Sequence, residues 1–324
     1  MPGNDRVAPP PPLRDRLLII DDFLPAALAE AMRLDIDNHF ADPGHHAPAT
    51  HQVWNYWFVP ELYAYLRTQP EKVIDRGHMD DFQARLQAWS RETLGMGQVS
   101  WPYLSLYVNG CRQGMHNDST NGRFAFVYSL TRDERATNGG ETIVFHESHP
   151  FLSHLNRPGA GRGFYDLVAP KFNRLVVFDD RLPHGVERVE GSMDPHEGRF
   201  VMHGHISETS PVVTGALSVE AVLGPVVAAI EAFTRNAPTK LEDYHGPLIL
   251  SLSVAPDGTL AEARVMVDRV IHFAGPSPIW TAIVGGLLTR LSALRFPAAD
   301  GPTQLILPLL FGATPPEAPA DQGS

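Results

Sequence analysis

Two triplets of the form H-x-D occur in the chain, His78-Met79-Asp80 and His116-Asn117-Asp118. In a strand, successive Cβ atoms alternate between faces, so the outer residues of such a triplet can present one imidazole and one carboxylate to the same metal. The first triplet opens a helical pattern, where residues two apart do not face one way and where Asp80 or Asp81 can cap the first turn. The second follows the β run YLSLYVN and precedes FAFVYSL, a setting that holds side chains rigidly at a barrel mouth. A third ligand is then required, and His184 in RLVVFDDRLPHGVERV is the best placed, after one strong β run and at the start of the next. Two histidines and one carboxylate on one face of an octahedron leave three positions open, which suits non-haem Fe(II): two for a bidentate co-substrate and one for O₂. Arg199 opens the strand RFVMHGHI, where a guanidinium can grip the distal carboxylate of a small diacid by a bidentate pair. His203 and His205 share parity with Arg199; we read His203 as structural and His205 as a candidate substrate contact.

The elements that must hold these residues change character along the chain. Residues 1–15, MPGNDRVAPPPPLRD, are polar and proline-rich and read as a flexible lead-in, since consecutive prolines cannot donate the hydrogen bonds of helix or sheet. LLIIDDFLP reads as a strand and turn, AALAEAMRLDIDNHF as a helix, and MDDFQARLQAWSRETLG as a second helix with Phe82, Leu86 and Trp89 on one face. From about residue 99 to Ile206 the chain is a series of short β runs broken by Gly, Asn, Asp and Pro, the pattern of an antiparallel sandwich or barrel. The aromatic run WNYWFVPELYAYL reads mainly as core packing, with Trp54, Asn55 and Tyr56 as alternative walls of a substrate pocket. His45-His46 reads as a solvated pair in a Pro/Gly loop. After SETSPVVTG the pattern becomes helix, two strands joined at Pro256-Asp257-Gly258, helix and strand, an α+β module.

The motifs HND, NGGETIVF, PHGVERV and GRFVMHGHI, with Tyr107 ahead of them, resemble as a set the 2-oxoglutarate and Fe(II)-dependent dioxygenases, in particular their prolyl-hydroxylase-like branch. The likeness covers about residues 17–207. It implies a mainly β fold, a double-stranded β-helix or jelly roll with flanking helices. It also implies His116, Asp118 and His184 as iron ligands, Arg199 on the far carboxylate of 2-oxoglutarate, and Tyr107 hydrogen-bonding near it. Tyr128 and Thr142 are expected to line the same pocket. Ascorbate is a reductant that such a centre uses. One position departs from the pattern: two residues after the arginine, where relatives often carry Ser or Thr, stands Val201. Asp118 departs from halogenating relatives, which leave that ligand position free for halide, so hydroxylation or another oxidation, with release of succinate and CO₂, is the expected reaction. Residues 246–311 resemble, more weakly, the C-terminal domain of TonB-type energy transducers, which pairs with extended peptides through a strand edge.

These readings divide the chain into a lead-in, 1–15; a jelly-roll dioxygenase domain, 16–208; a small α+β C-terminal domain, 215–313; and a flexible tail, 314–324. With 324 residues and 43% hydrophobic content, two domains are expected. A net charge of −11 argues against a nucleic-acid partner. The single cysteine, Cys111, forms no internal disulfide, and neither a signal-peptide apolar region nor an apolar stretch long enough to span a bilayer is visible. A cytoplasmic enzyme that hydroxylates a peptide or protein side chain, or an amino-acid-like metabolite, is the expectation, with a homodimer as a possible assembly; the alternative is a catalytically silent jelly roll that binds or scaffolds.

Overall fold

The computed structural model describes residues 11–41, 53–118, 124–133, 138–146, 164–208, 210–272 and 277–312. Two compact units emerge, residues 15–208 and residues 1–14 with 209–324. His45-His46 and the tail 314–324 lie outside the described residues. No helix among the described residues is long and apolar enough to cross a membrane.

In the unit 15–208 the elements run β1 (Leu17–Ile20), α1 (Ala26–Ala41), β2 (Asn55–Val59), β3 (Tyr63–Thr68), α2 (Arg76–Leu94), β4 (Gln98–Val99), β5 (Tyr103–Tyr107), β6 (Arg112–His116) and β7 (Phe124–Ser129). β8 (Thr142–Phe145), β9 (Tyr165–Val168), β10 (Leu175–Asp179), β11 (His184–Val186) and β12 (Arg199–Ser207) complete it. Among the described residues they form one sheet in the order β1-β10-β7-β12-β5-β3-β6-β11-β8-β9, with β2 on β3 and β4 on β12. The sheet curls back on itself: Ala125 of β7 and Phe178 of β10 share a buried cluster with Val144 of β8 and Val168 of β9, strands that lie far apart in the pairing order. This is the mainly β jelly roll expected from the sequence, with few helices.

The helices cover its outer face. In α2 the buried residues Met79, Phe82, Leu86, Ser90 and Leu94 recur at three- and four-residue intervals, an apolar stripe. Phe82 packs against Phe126 and Tyr128 of β7, with ring centroids 6.4 and 5.1 Å apart. Each large apolar side chain so buried contributes about 1.5–3 kcal/mol. The helix begins three residues earlier than its apolar pattern suggests, because the cap is Asp75, which accepts from Gly77 N at 2.8 Å. Neither Asp80 nor Asp81 caps it; Asp80 pairs instead with Arg76 one turn back, at 2.9 Å.

In the other unit β13 (Val212–Gly215), α3 (Val219–Arg235), β14 (Tyr244–Val254), β15 (Leu260–Asp268), β16 (Ile271–His272), α4 (Trp280–Ser292) and β17 (Thr303–Phe311) follow in order. The sheet order is β13-β17-β14-β15, with β16 on β14. Val222 and Val226 of α3 and Ile283, Leu287 and Leu291 of α4 share its core with Leu248, Leu250 and Leu252 of β14. The turn after β14 needs Gly258, whose φ of +80° strains any other residue. The end of the proline-rich lead-in is not loose: Leu13 N donates to Met266 O at 2.8 Å and Asp268 N to Leu13 O at 2.9 Å. A short parallel bridge thus covers the end of the β15 edge, because the donor missing from the prolines returns at Leu13.

Candidate metal centre

The structure brings His116, Asp118 and His184 together, one ligand atom from each lying within 4.8 Å of the others. β6 and β11 pair antiparallel, with His116 directly opposite His184. Two residues further along β11, however, Val186 faces Gln113, three residues back on β6. One extra residue in β6 is a β-bulge, which re-aims the side chains beyond it. The bulge fits because residue 185 is glycine: a Cβ there would stand 2.7 Å from Gln113 O. Asp118 lies past the end of β6, tied by its N–H to Asp180 O at 2.9 Å.

Both imidazoles are oriented from behind. His116 Nδ1 lies 2.9 Å from Gly114 O and His184 Nδ1 3.0 Å from Leu182 O; a carbonyl only accepts, so each Nδ1 carries the proton and each Nε2 offers a lone pair. Those lone pairs face Asp118, at 3.9 Å from His116 and 3.3 Å from His184. Three electron-rich groups converging without a proton between them form an arrangement that a cation relieves, and the donor set fits Fe(II). Burial, with the nearby His184, pushes the His116 pKa below its ordinary value, which favours the neutral ring that a metal needs. Burial alone would raise Asp118, but the imidazoles of His184 and His116 beside it outweigh it and hold the carboxyl below its usual range.

Arg199 lies beside this cluster and is 1% exposed. Its Nη2 donates to Thr142 Oγ1 at 3.0 Å, and its guanidinium stands 4.7 Å from the centroid of the Tyr107 ring. Nε and Nη1 have no hydrogen-bond partner. Burial lowers its pKa from the ordinary value, yet a guanidinium keeps its proton in proteins, so this is a buried cation with two nitrogens to spare. Tyr107, fully buried, has its hydroxyl pKa pushed upward by desolvation and donates to Gln113 Oε1 at 3.1 Å. Arg199, Tyr107, Thr142 and the three metal-site residues line one cavity. The space between them, the part open to solvent included, is about 460 Å³. Val201 lines it too, so the position that differs from the dioxygenase pattern supplies an apolar wall, and the hydroxyl near the guanidinium comes from Thr142.

Other expected site residues are elsewhere. Tyr128 is on the far face of β7: its ring packs against Phe82 and Phe23 and its hydroxyl donates to Asn173 Oδ1 at 2.8 Å. It does not line the cavity, because Phe82 of α2 holds its ring from the helix side. Trp54 stacks on Phe40 at 5.7 Å and donates to His39 Nε2 at 3.2 Å, away from the cavity lining. Asn55 and Tyr56 are exposed on β2, and neither lines it. The aromatic run around them divides: Ala64 and Tyr65 are core, as expected, whereas Tyr56, Trp57 and Phe58 are exposed, because among the described residues β2 hydrogen-bonds only to β3. His205 does line the cavity, as does His203, which is hydrogen-bonded to Ser105 Oγ at 2.9 Å. His78 lies in α2, 2.7 Å from Asp35, apart from the centre. Gln113 and Phe178 line the cavity without having been singled out in the sequence. Strict alternation sets Gln113 opposite to His116, and only the bulge brings its Nε2 to 3.3 Å from His116 Nε2.

Residues 103–207 match the family model described as the 2OG-Fe(II) oxygenase superfamily. None of the curated proteins compared matches the sequence. Among solved structures, a prolyl-4-hydroxylase of Pseudomonas putida is similar at 18% identity, over 60% of this chain and 92% of that one, with a TM-score of 0.42. A prolyl hydroxylase of Trichoplax adhaerens, solved with a hypoxia-inducible-factor peptide fragment, is similar at 13% identity over 58% and 81%, with the same score. The matched segment runs from β5 to the end of β12 and contains His116, Asp118 and His184, so residues 103–207 are a segment of the 2OG-Fe(II) oxygenase type, that of a 2-oxoglutarate-dependent Fe(II) dioxygenase.

Proposed function

We propose that the unit 15–208 hydroxylates an unactivated C–H bond, on a peptide or protein side chain or an amino-acid-like metabolite, with conversion of 2-oxoglutarate to succinate and CO₂. The observation that carries this reading is Arg199, a buried cation beside the His116, Asp118 and His184 cluster with two nitrogens that have no partner. A buried charge without a counter-charge is costly, and a diacid reaching from the cluster to Arg199 removes that cost. His116, Asp118 and His184 are the proposed iron ligands. Fe(II), when bound, supplies the redox chemistry that couples decarboxylation of the 2-oxo acid to oxidation of the substrate. The protein's own part is positioning and exclusion. Arg199 holds the distal carboxylate by charge-assisted hydrogen bonds, Thr142 steadies the guanidinium, and Tyr107 roofs it with its ring. Phe178, Val186 and Val201 wall the cavity with apolar surface, which keeps water from the reacting atoms. A scaffold without catalysis gains nothing from a buried, unpaired arginine beside a complete metal-ligand set.

The test is anaerobic titration with Fe(II) and 2-oxoglutarate, with ascorbate present to keep the iron reduced, followed by admission of O₂ and measurement of succinate. A weak visible charge-transfer band and slow succinate release without added substrate are expected. A protein that takes up neither Fe(II) nor 2-oxoglutarate is not an oxygenase by this route.

A further inference from the structure

β12 presents Arg199, Val201, His203 and His205 to the cavity on alternate residues. At about 3.3 Å per residue, the first and last of these stand about 20 Å apart along the strand. A diacid anchored on Arg199 and reaching the metal cluster takes the Arg199 end. The opposite end is walled by Ala125 and Val127, which pair in register with His205 and His203. His203 is held by Ser105, but the Nδ1 of His205 is buried and makes no hydrogen bond. His205 lines the same cavity as Asp118 and His184, so its ring borders the space beside the metal cluster that the co-substrate leaves free.

We propose that His205 is a substrate-positioning residue, hydrogen-bonding a neutral amide of a peptide-like substrate whose target is a compact aliphatic carbon. The free ring nitrogen can donate to an amide carbonyl or, in the other tautomer, accept from an amide N–H, and an amide offers both. Ala125, Val127 and Val201 leave room for a small aliphatic group and offer no polar partner of their own side chains. The carboxylate of Asp118 nearby disfavours a second anion, so a free acid is a poorer ligand than its amide. The inference rests on the oxygenase reading, since it is the diacid that takes the other end of the cavity.

The experiment uses the full chain, ¹⁵N-labelled at histidine and loaded with Zn(II), as a diamagnetic replacement for iron, and 2-oxoglutarate. N-acetyl methylamides of alanine, valine, leucine and proline are titrated beside the corresponding free amino acids. At least one capped amide should bind more tightly than its free acid and move the ring-nitrogen resonances of His205, identified by their loss in His205→Gln. His205→Leu should weaken that amide by about tenfold, the scale of one hydrogen bond, and His205→Gln, which keeps a donor and an acceptor, should restore most of the affinity. If the metal and 2-oxoglutarate bind but no capped amide does, or free acids bind better, or the amide binds without moving the His205 resonances, this proposal falls and the oxygenase reading stands. If neither metal nor 2-oxoglutarate binds, both fall together.

Discussion

Replacing Arg199 with methionine should separate two quantities that usually move together, ligand affinity and the stability of the ligand-free fold. The guanidinium has two nitrogens without partners, and a hydrogen bond to a charged group is worth about 1.5–3 kcal/mol. Losing two such bonds to a carboxylate removes about 3–6 kcal/mol, or about 10²–10⁴ in the dissociation constant of 2-oxoglutarate. The ligand-free protein tells a different story. There the buried cation has a single hydrogen bond, to Thr142, and methionine keeps much of the stem's packing while removing the charge, so stability should hold or rise slightly. Thermal unfolding reads both effects. At 100 times the wild-type dissociation constant, 2-oxoglutarate stabilises by about 2.7 kcal/mol, which raises the melting temperature of a unit this size by about 5–10 °C. Arg199→Met should lose nearly all of that rise while melting, without ligand, no lower than wild type. A variant that binds 2-oxoglutarate within threefold of wild type would show that another cation holds the diacid; one that melts far lower without ligand would show that Arg199 is a structural ion.

His116→Ala and Asp118→Ala should each abolish the charge-transfer band of the anaerobic Fe(II) and 2-oxoglutarate complex, and a band surviving in either would refute the ligand assignment. Tyr128→Phe should cost about 1 kcal/mol of stability, the net worth of its hydrogen bond to Asn173, and leave the 2-oxoglutarate affinity unchanged; a changed affinity would return Tyr128 to the pocket. Burial and the neighbouring Arg67 hold the His203 pKa down to about 3, below the value near 6.5 of an unfolded chain. Below pH 6.5 the unfolded state therefore binds the extra proton, so stability falls with falling pH, by up to about 1.4 kcal/mol per unit. Denaturant melts of the metal-free protein between pH 7 and 4 should show this slope, and His203→Gln should flatten it. A chain of residues 15–208 should retain Fe(II) and 2-oxoglutarate binding, since every proposed ligand lies within it; calorimetry that finds no binding to a folded fragment would refute this.

The cluster of His116, Asp118 and His184 was legible in the sequence because its information is local. H-x-D at a strand end, a histidine opening a later strand and an arginine opening another are patterns of residue type on runs whose alternation is visible. Both helices of the oxygenase unit were readable for the same reason, since an apolar stripe is periodic in the chain itself. What sequence could not determine depended on events between strands. The bulge in β6 exists only as a mismatch between two partners, three residues of one strand against two of the other, and it alone turns Gln113 toward His116. Tyr128 and Thr142 looked alike as strand residues; the sheet's curvature and the seating of α2 put one against Phe82 and the other against Arg199. The segment 55–59 of the aromatic run has the composition of a core, yet it became an exposed edge because among the described residues no further strand pairs with β2, and edge or centre is a property of the assembled sheet. Residue type and period thus determined which side chains could meet in one cluster, whereas register, bulge and edge position, which arise only when distant segments pair, decided which of their neighbours share the cavity.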